Sequence, residues 1–208
     1  MSSSTRDQPN PEEPPPVLNI ANALTMLRIV LVPLFVWFLL LDAAPGAEGG
    51  LEATNGGWRW AAAGLFAAAM ITDKIDGDLA RARNLVTDFG KIADPIADKL
   101  LIGGGLVMLS VLGELPWWVT IVILARELGV TVLRMVVIRY GVIPASRGGK
   151  LKTVLQAAGL QLMLLPLVVI AGWLADVAFW IVMAALVVTV LTGVDYVLSA
   201  LRLRRAAR

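Results

Sequence analysis

Four aspartates carry the chemistry open to this sequence. Asp73 and Asp76 stand three residues apart and Asp94 and Asp98 four apart, spacings that put each pair on one face of its helix. A helix starting near Trp58 and rising about 1.5 Å per residue reaches Asp73 after roughly 22 Å, most of the way across a ~30 Å hydrocarbon core. Asp94 and Asp98 open the next helix from the same side, so all four acids are expected at one membrane interface. Uncompensated there, they would repel one another and cost several kcal/mol each to desolvate, so positive charge must answer them. Two divalent cations would balance four acids. An oxygen-only donor set favours Mg²⁺ or Mn²⁺, and two such ions can stabilise both the attacking and the leaving oxygen of a phosphoryl-type displacement. The bland alternative is a charged hairpin in which Lys74, Arg81, Lys91 and Lys99 pair with the acids. Asp78 and Asp88 read as solvated loop charges.

The elements that position these acids are those of a membrane protein. The 208 residues are 58% hydrophobic with a mean hydropathy of +0.76, above the roughly half apolar content of soluble domains. Six apolar stretches are expected to span the bilayer, at about residues 22–42, 58–80, 95–113, 117–139, 153–172 and 177–200, each near the ~20 residues a crossing needs. Gly and Pro punctuate them at Ala44–Gly57, Gly113–Pro116 and Tyr140–Gly149, with a short break at Trp173–Asp176. The expected fold is an all-α bundle of six transmembrane helices over residues 17–208. Residues 1–16, polar and Pro-rich, are expected to form a disordered tail.

Charge distribution orients the bundle. Arg6, Arg81, Arg83, Lys91, Arg139, Arg147, Lys150, Lys152 and the Arg202–Arg208 cluster fall on one side, while the opposite loops carry acids and a single Arg59. By the positive-inside rule both termini and the aspartates face the cytosol. Trp58, Trp60, Trp117, Trp118 and Trp173 then form an aromatic belt at the outer ends. The formal charge of +2 gives no argument for nucleic acid. With neither His nor Cys in the chain, catalysis must rest on carboxylates, hydroxyls and cations.

The run D-x2-D-G-x2-A-R-x8-G-x3-D-x3-D, filled by Asp73, Asp76, Gly77, Ala80, Arg81, Gly90, Asp94 and Asp98, resembles the signature of CDP-alcohol phosphotransferases. The resemblance implies a six-helix homodimeric enzyme of the plasma membrane, acting at the surface of membrane lipid. It would move a phosphatidyl group from CDP-diacylglycerol to an alcohol and release CMP. The family's two metal ions, Mg²⁺ or Mn²⁺, would be held by Asp73, Asp76, Asp94 and Asp98, and Asp98 would also be the base that deprotonates the acceptor. Gly77 and Gly90 would let the nucleotide approach the backbone, and Arg81 would hold the diphosphate. Asn22 and Thr25, in the opening segment Asn19–Arg28, would contribute to the CDP-diacylglycerol site. Arg28 there is long enough to snorkel to the interface.

The acceptor must be read from other polar residues. Arg126 and Arg134 lie in an otherwise apolar span, so each needs a partner or an anion. Ala125-Arg126-Glu127, Gly149-Lys150-Leu151-Lys152-Thr153 and Gly193-Val194-Asp195-Tyr196 look like the branch of the family whose acceptor is sn-glycerol 3-phosphate. On that resemblance Arg126, Lys150 and Lys152 would bind the acceptor phosphate. The chain departs from the family pattern at Ala21, where proline is usual, and at Asp78, where an apolar or aromatic residue is commoner. Three other readings stand beside this one, among them a structural lipid-binding protein with a dead site, which would need a lost motif residue where none is lost. A sister enzyme would use inositol phosphate, serine or phosphatidylglycerol. A cation transporter would need broken helices and a site near the midplane.

Overall fold

The computed structural model describes residues 19–47, 49–82, 87–137 and 147–206. The N-terminal tail and most of the expected Tyr140–Gly149 break lie outside the described residues. The described chain is helical apart from one small hairpin: α1 (Ile20–Leu41), β1 (Ala43–Pro45), β2 (Leu51–Ala53), α2 (Gly57–Ala82), α3 (Asp88–Val111), α4 (Trp117–Val137), α5 (Arg147–Leu164), α6 (Leu167–Ile170) and α7 (Gly172–Ala206). The hairpin, paired Ala43 to Ala53 in antiparallel register, fills the loop expected between the first two spans.

Local chemistry sets the helix ends. Asn19 caps α1 by accepting from the Asn22 amide at 3.0 Å, and Thr87 caps α3 by accepting from the Gly90 amide at 3.0 Å, each satisfying an amide that has no partner within the helix. The Thr87 cap starts α3 at Asp88 rather than near residue 95, so Asp94 and Asp98 sit in its second and third turns. The largest departure is at the fifth span. Pro166 has no amide hydrogen and disfavours helix at the preceding residue, so α5 stops at Leu164. The expected break at Trp173–Asp176 is instead the first turn of α7.

Consecutive long helices run in alternate directions, and α1 packs mainly on α2 and α3, while α7 packs on α5 and α4. The two groups join where α2 and α3 meet α5 and α3 meets α4. Phe35 and Leu39 of α1, Phe66 of α2, Leu101, Leu106 and Leu109 of α3, Ile123 of α4 and Leu160 and Leu164 of α5 form one buried cluster. The Phe35 and Phe66 rings meet with centroids 5.6 Å apart. At Gly159 a Cβ would stand 3.1 Å from the Val182 backbone nitrogen, so glycine is what lets α5 and α7 come together.

Large apolar side chains cover the outside. Trp37, Trp117, Trp118, Met135, Trp173, Trp180 and Leu191 are all at least half exposed, an arrangement water would penalise and lipid would not. By length and composition α1 and α7 can each cross a bilayer. The helices between them carry the charged and polar side chains described below. The chain is an all-α integral membrane protein.

The end of the bundle away from the aspartates is closed by Arg59. Its fully buried guanidinium donates from Nε to the Leu164 carbonyl at 2.9 Å and from Nη2 to the Met163 carbonyl at 2.8 Å, and pairs with Glu114. It thus satisfies the last carbonyls of α5 and ties them to the α3–α4 turn. Burial raises the Glu114 carboxyl above its ordinary range, and Arg59 opposes that rise. Asp42 closes the neighbouring loop by accepting from Thr54 Oγ1 and from the Asn55 and Gly56 amides. Arg59→Met is expected to cost about 3 kcal/mol, since it leaves those acceptors without their donor. Thermal unfolding in detergent checks this, with activity per folded molecule unchanged because the substitution lies at the far end.

Candidate active site

Three helices converge on the aspartates. Asp73 and Asp76 come from the last third of α2, Asp94 and Asp98 from the first half of α3, and α1 lays Asn22, Thr25 and Arg28 against both. Those three residues recur every three positions, so one face of α1 carries them all. All are buried, and Arg28 is 0% exposed. Its guanidinium reaches Asp73 at 2.5 Å through Nη1 and pairs with Asp76 through Nη2. Thr25 Oγ1 donates to Asp94 Oδ1 at 2.5 Å. Asn22 and the α3 cap Thr87 exchange hydrogen bonds at 2.8 and 3.0 Å. Arg28 is therefore not snorkelling to an interface: it is the buried cation that answers the α2 aspartates.

The carboxylates also act on one another. Asp76 lies within electrostatic reach of Asp73 and Asp94, and Asp98 within reach of Asp73, Arg28, Lys99 and Lys152. Among the described residues no three acidic side chains are gathered tightly enough to hold an ion as they stand. The physical reason is visible in the partners: Arg28 holds Asp73 and Asp76, and Thr25 holds Asp94. The donor chemistry, four carboxylates with no nitrogen or sulfur ligand, suits a hard divalent cation.

Gly90 has a neighbour that the sequence does not reveal. A Cβ there would stand 2.9 Å from Asn22 Oδ1 and 3.3 Å from Thr87 Oγ1, so this glycine admits α1 against the start of α3. Gly77 follows Asp76 in α2 and is half-buried. Arg81 falls within α2, but its side chain lies outside the described residues.

A second polar group sits beside the first. Lys152 of α5 donates to Glu127 Oε1 of α4 at 2.5 Å, and Arg126 Nη1 meets the same oxygen at 3.2 Å. Arg126 is otherwise turned onto α7, donating to the Thr189 carbonyl at 2.9 Å and to Thr192 Oγ1 at 2.8 Å. Its stem fills the space that a Cβ on Gly193 would need. Arg134 lies over the Tyr196 ring, 5.9 Å from the centroid, so both arginines of α4 find their partners on α7. Lys150 does not join them: it is exposed, and two residues along a helix turn it about 200° away from Lys152.

A cavity of about 350 Å³ joins the two polar groups, lined by Asp73, Asp98, Lys99, Glu127 and Lys152 among apolar residues of α3 and α4. Its size suits a small ligand, and its few charged groups converge within an apolar wall. It brings carboxylates and ammonium groups to one lining, a setting for an anionic substrate that must give up a proton.

Paired aspartates at one end of a bundle with an apolar exterior, beside a cavity that also carries two lysines, suit a membrane enzyme acting on phosphate-bearing substrates. Residues 18–191 match the family model described as CDP-alcohol phosphatidyltransferase. The chain belongs to that family. It is 53% identical over 186 residues to a probable phosphatidylglycerophosphate synthase of Mycobacterium tuberculosis, covering 89% of this chain and 83% of that one. It is 39% identical over 187 residues to a CDP-diacylglycerol–glycerol-3-phosphate 3-phosphatidyltransferase of Bacillus subtilis, covering 86% and 94%. A CMP-forming cardiolipin synthase of Streptomyces coelicolor is 35% identical over 166 residues, covering 78% and 71%.

Proposed function

We propose that this protein is a phosphatidylglycerophosphate synthase, transferring the phosphatidyl group of CDP-diacylglycerol to sn-glycerol 3-phosphate and releasing CMP. The observation that carries the reading is the cavity lined by both Asp98 and Lys152, together with the higher identity to relatives named for this activity than to the cardiolipin synthase. Lys152 is buried, with Glu127 as its counter-ion, so an incoming phosphate finds a cation already largely stripped of water. Arg126 fixes Glu127 and through it Lys152. Lys150, exposed on the other face of α5, adds to the field that draws anions to this end.

With the acceptor phosphate at Lys152, its primary hydroxyl reaches Asp98. The hydroxyl oxygen attacks the phosphorus bearing the diacylglyceryl group while its proton passes to the Asp98 carboxylate. The phosphoanhydride bond breaks, and CMP leaves with the bonding electron pair. Asp73, Asp76, Asp94 and Asp98 are the residues that would hold two divalent cations, Mg²⁺ or Mn²⁺, which when bound neutralise the diphosphate. Gly77, Arg81, Asn22 and Thr25 belong to the CDP-diacylglycerol side, Asn22 and Thr25 by fixing α3 and Asp94. Gly90 serves by admitting Asn22.

The remaining helices complete six spans of a homodimer, with the termini and the site at the cytosolic face of a bacterial plasma membrane. Support for this orientation comes from the basic residues clustered at the aspartate end.

Chelation tests the metal requirement: EDTA should abolish CMP release, and Mg²⁺ or Mn²⁺ should restore it, whereas turnover indifferent to chelator would overturn it. Lys152→Ala should raise KM for glycerol 3-phosphate by about 10- to 100-fold, the worth of a charge-assisted contact, with KM for CDP-diacylglycerol unchanged. An unchanged acceptor KM would favour another acceptor.

A further inference from the structure

Among the polar side chains of the cavity that belong to neither the aspartate cluster nor the Lys152–Glu127 pair, Gln156 is the buried one. It lies one helical turn beyond Lys152 on the same face of α5 and is only 4% exposed. Its side-chain amide makes no hydrogen bond among the described residues, whereas Gln161 on the same helix donates to the Ala63 carbonyl at 3.2 Å. Neither polar atom of the Gln156 amide is among the buried, unpartnered side-chain atoms of the described residues, so the amide is open to the cavity it lines, where a ligand can bond it.

Depth suggests which part of the ligand. Helices α3 and α5 start at the same end of the bundle. At about 1.5 Å per residue, Asp98 lies about 15 Å and Gln156 about 13 Å from those starts, while Lys152 is shallower by one turn, about 6 Å. A three-carbon acceptor with its phosphate on Lys152 covers that rise in a few covalent bonds of about 1.5 Å. Its reacting hydroxyl then meets Asp98, and the neighbouring carbon lies beside Gln156.

We propose that Gln156 is a specificity-determining residue that hydrogen-bonds the secondary hydroxyl of the acceptor and so selects a vicinal diol phosphate over a simple alkanol phosphate. The inference rests on the acceptor reading given above. An amide both donates and accepts, so it can serve a hydroxyl in either sense, and a site built to bond a hydroxyl rejects the analogue that leaves its own polar group unpaired.

The test uses the full-length protein in detergent with CDP-diacylglycerol, metal ion and two acceptors, glycerol 3-phosphate and 3-hydroxypropyl phosphate, which lacks only the secondary hydroxyl. For the unaltered enzyme kcat/KM should fall about 10- to 100-fold on losing that hydroxyl. In Gln156→Met the value for glycerol 3-phosphate should fall by a similar factor and that for the deoxy acceptor should hold, so the two come within about threefold. Equal use of both acceptors by the unaltered enzyme would overturn the proposal without recourse to any variant, as would a folded Gln156→Met protein that keeps full discrimination. Gln156→Asn, which retains a shorter amide, should recover part of the discrimination. Turnover with neither acceptor, but with some other alcohol, would sink the acceptor reading itself and this proposal with it.

Discussion

Asp98→Asn should lower kcat by about 10²- to 10⁴-fold, the usual contribution of a positioned base, while the protein keeps its unfolding temperature. Asparagine preserves the shape of the side chain and removes its capacity to take the acceptor proton. Asp98 lines the cavity with Lys152 and lies in the electrostatic field of Arg28, Lys99 and Lys152. The KM for glycerol 3-phosphate should change little, because on the proposed reading Lys152 and not Asp98 holds the phosphate, so the loss belongs in the chemical step. A variant with near-normal kcat would remove Asp98 from the role of base and shift attention to Asp73, the other aspartate of the cavity.

The second large effect is on stability. Arg28→Met should destabilise the protein by about 3 kcal/mol, because it leaves the buried Asp76 carboxylate, and the more exposed Asp73 beside it, without their cation, and should lower the unfolding temperature by roughly 10 °C. The loss should be greatest in chelator and should shrink when Mg²⁺ or Mn²⁺ is added, since an ion bound by the same acids supplies the missing charge and stabilises the state that binds it. Arg28→Lys, which keeps the charge and loses the two-pronged geometry, should fall between. Unfolding measured with and without EDTA checks all three proteins. An unchanged unfolding temperature in Arg28→Met would mean that the Asp73 and Asp76 charges are answered elsewhere.

These expectations mark what the sequence makes legible. The aspartate spacings and the apolar lengths suffice to place four acids on two neighbouring helices at one end of a bundle, because helix periodicity and rise are local properties. Asn22, Thr25 and Arg28 are harder to assign. Their spacing marks one face of α1, yet whether that face meets lipid, solvent or the acids depends on how α1 packs against α2 and α3. The same limit explains Arg126: a charged residue in an apolar helix signals a partner, but not that the partner is a carbonyl on α7. Lys150 and Lys152 look equivalent in the sequence, and helix rotation alone separates a buried cavity residue from an exposed one. At Pro166 the signal was local and available, but it was submerged in an apolar run long enough to be read as one crossing. Gly90 shows the converse, a residue whose neighbour across the α1–α3 contact matters more than its own flexibility.

The family relationship and the cavity converge on one reaction, and the transferred group itself provides the most direct test of it. Purified protein would be incubated with CDP-diacylglycerol, radiolabelled glycerol 3-phosphate and Mg²⁺ or Mn²⁺, measuring CMP released and label passing into the chloroform-soluble phase. Phosphatidyl transfer to glycerol 3-phosphate predicts the two in one-to-one ratio, both lost with EDTA. CMP release without label in the lipid, or faster release with inositol phosphate, serine or phosphatidylglycerol as acceptor, would contradict it.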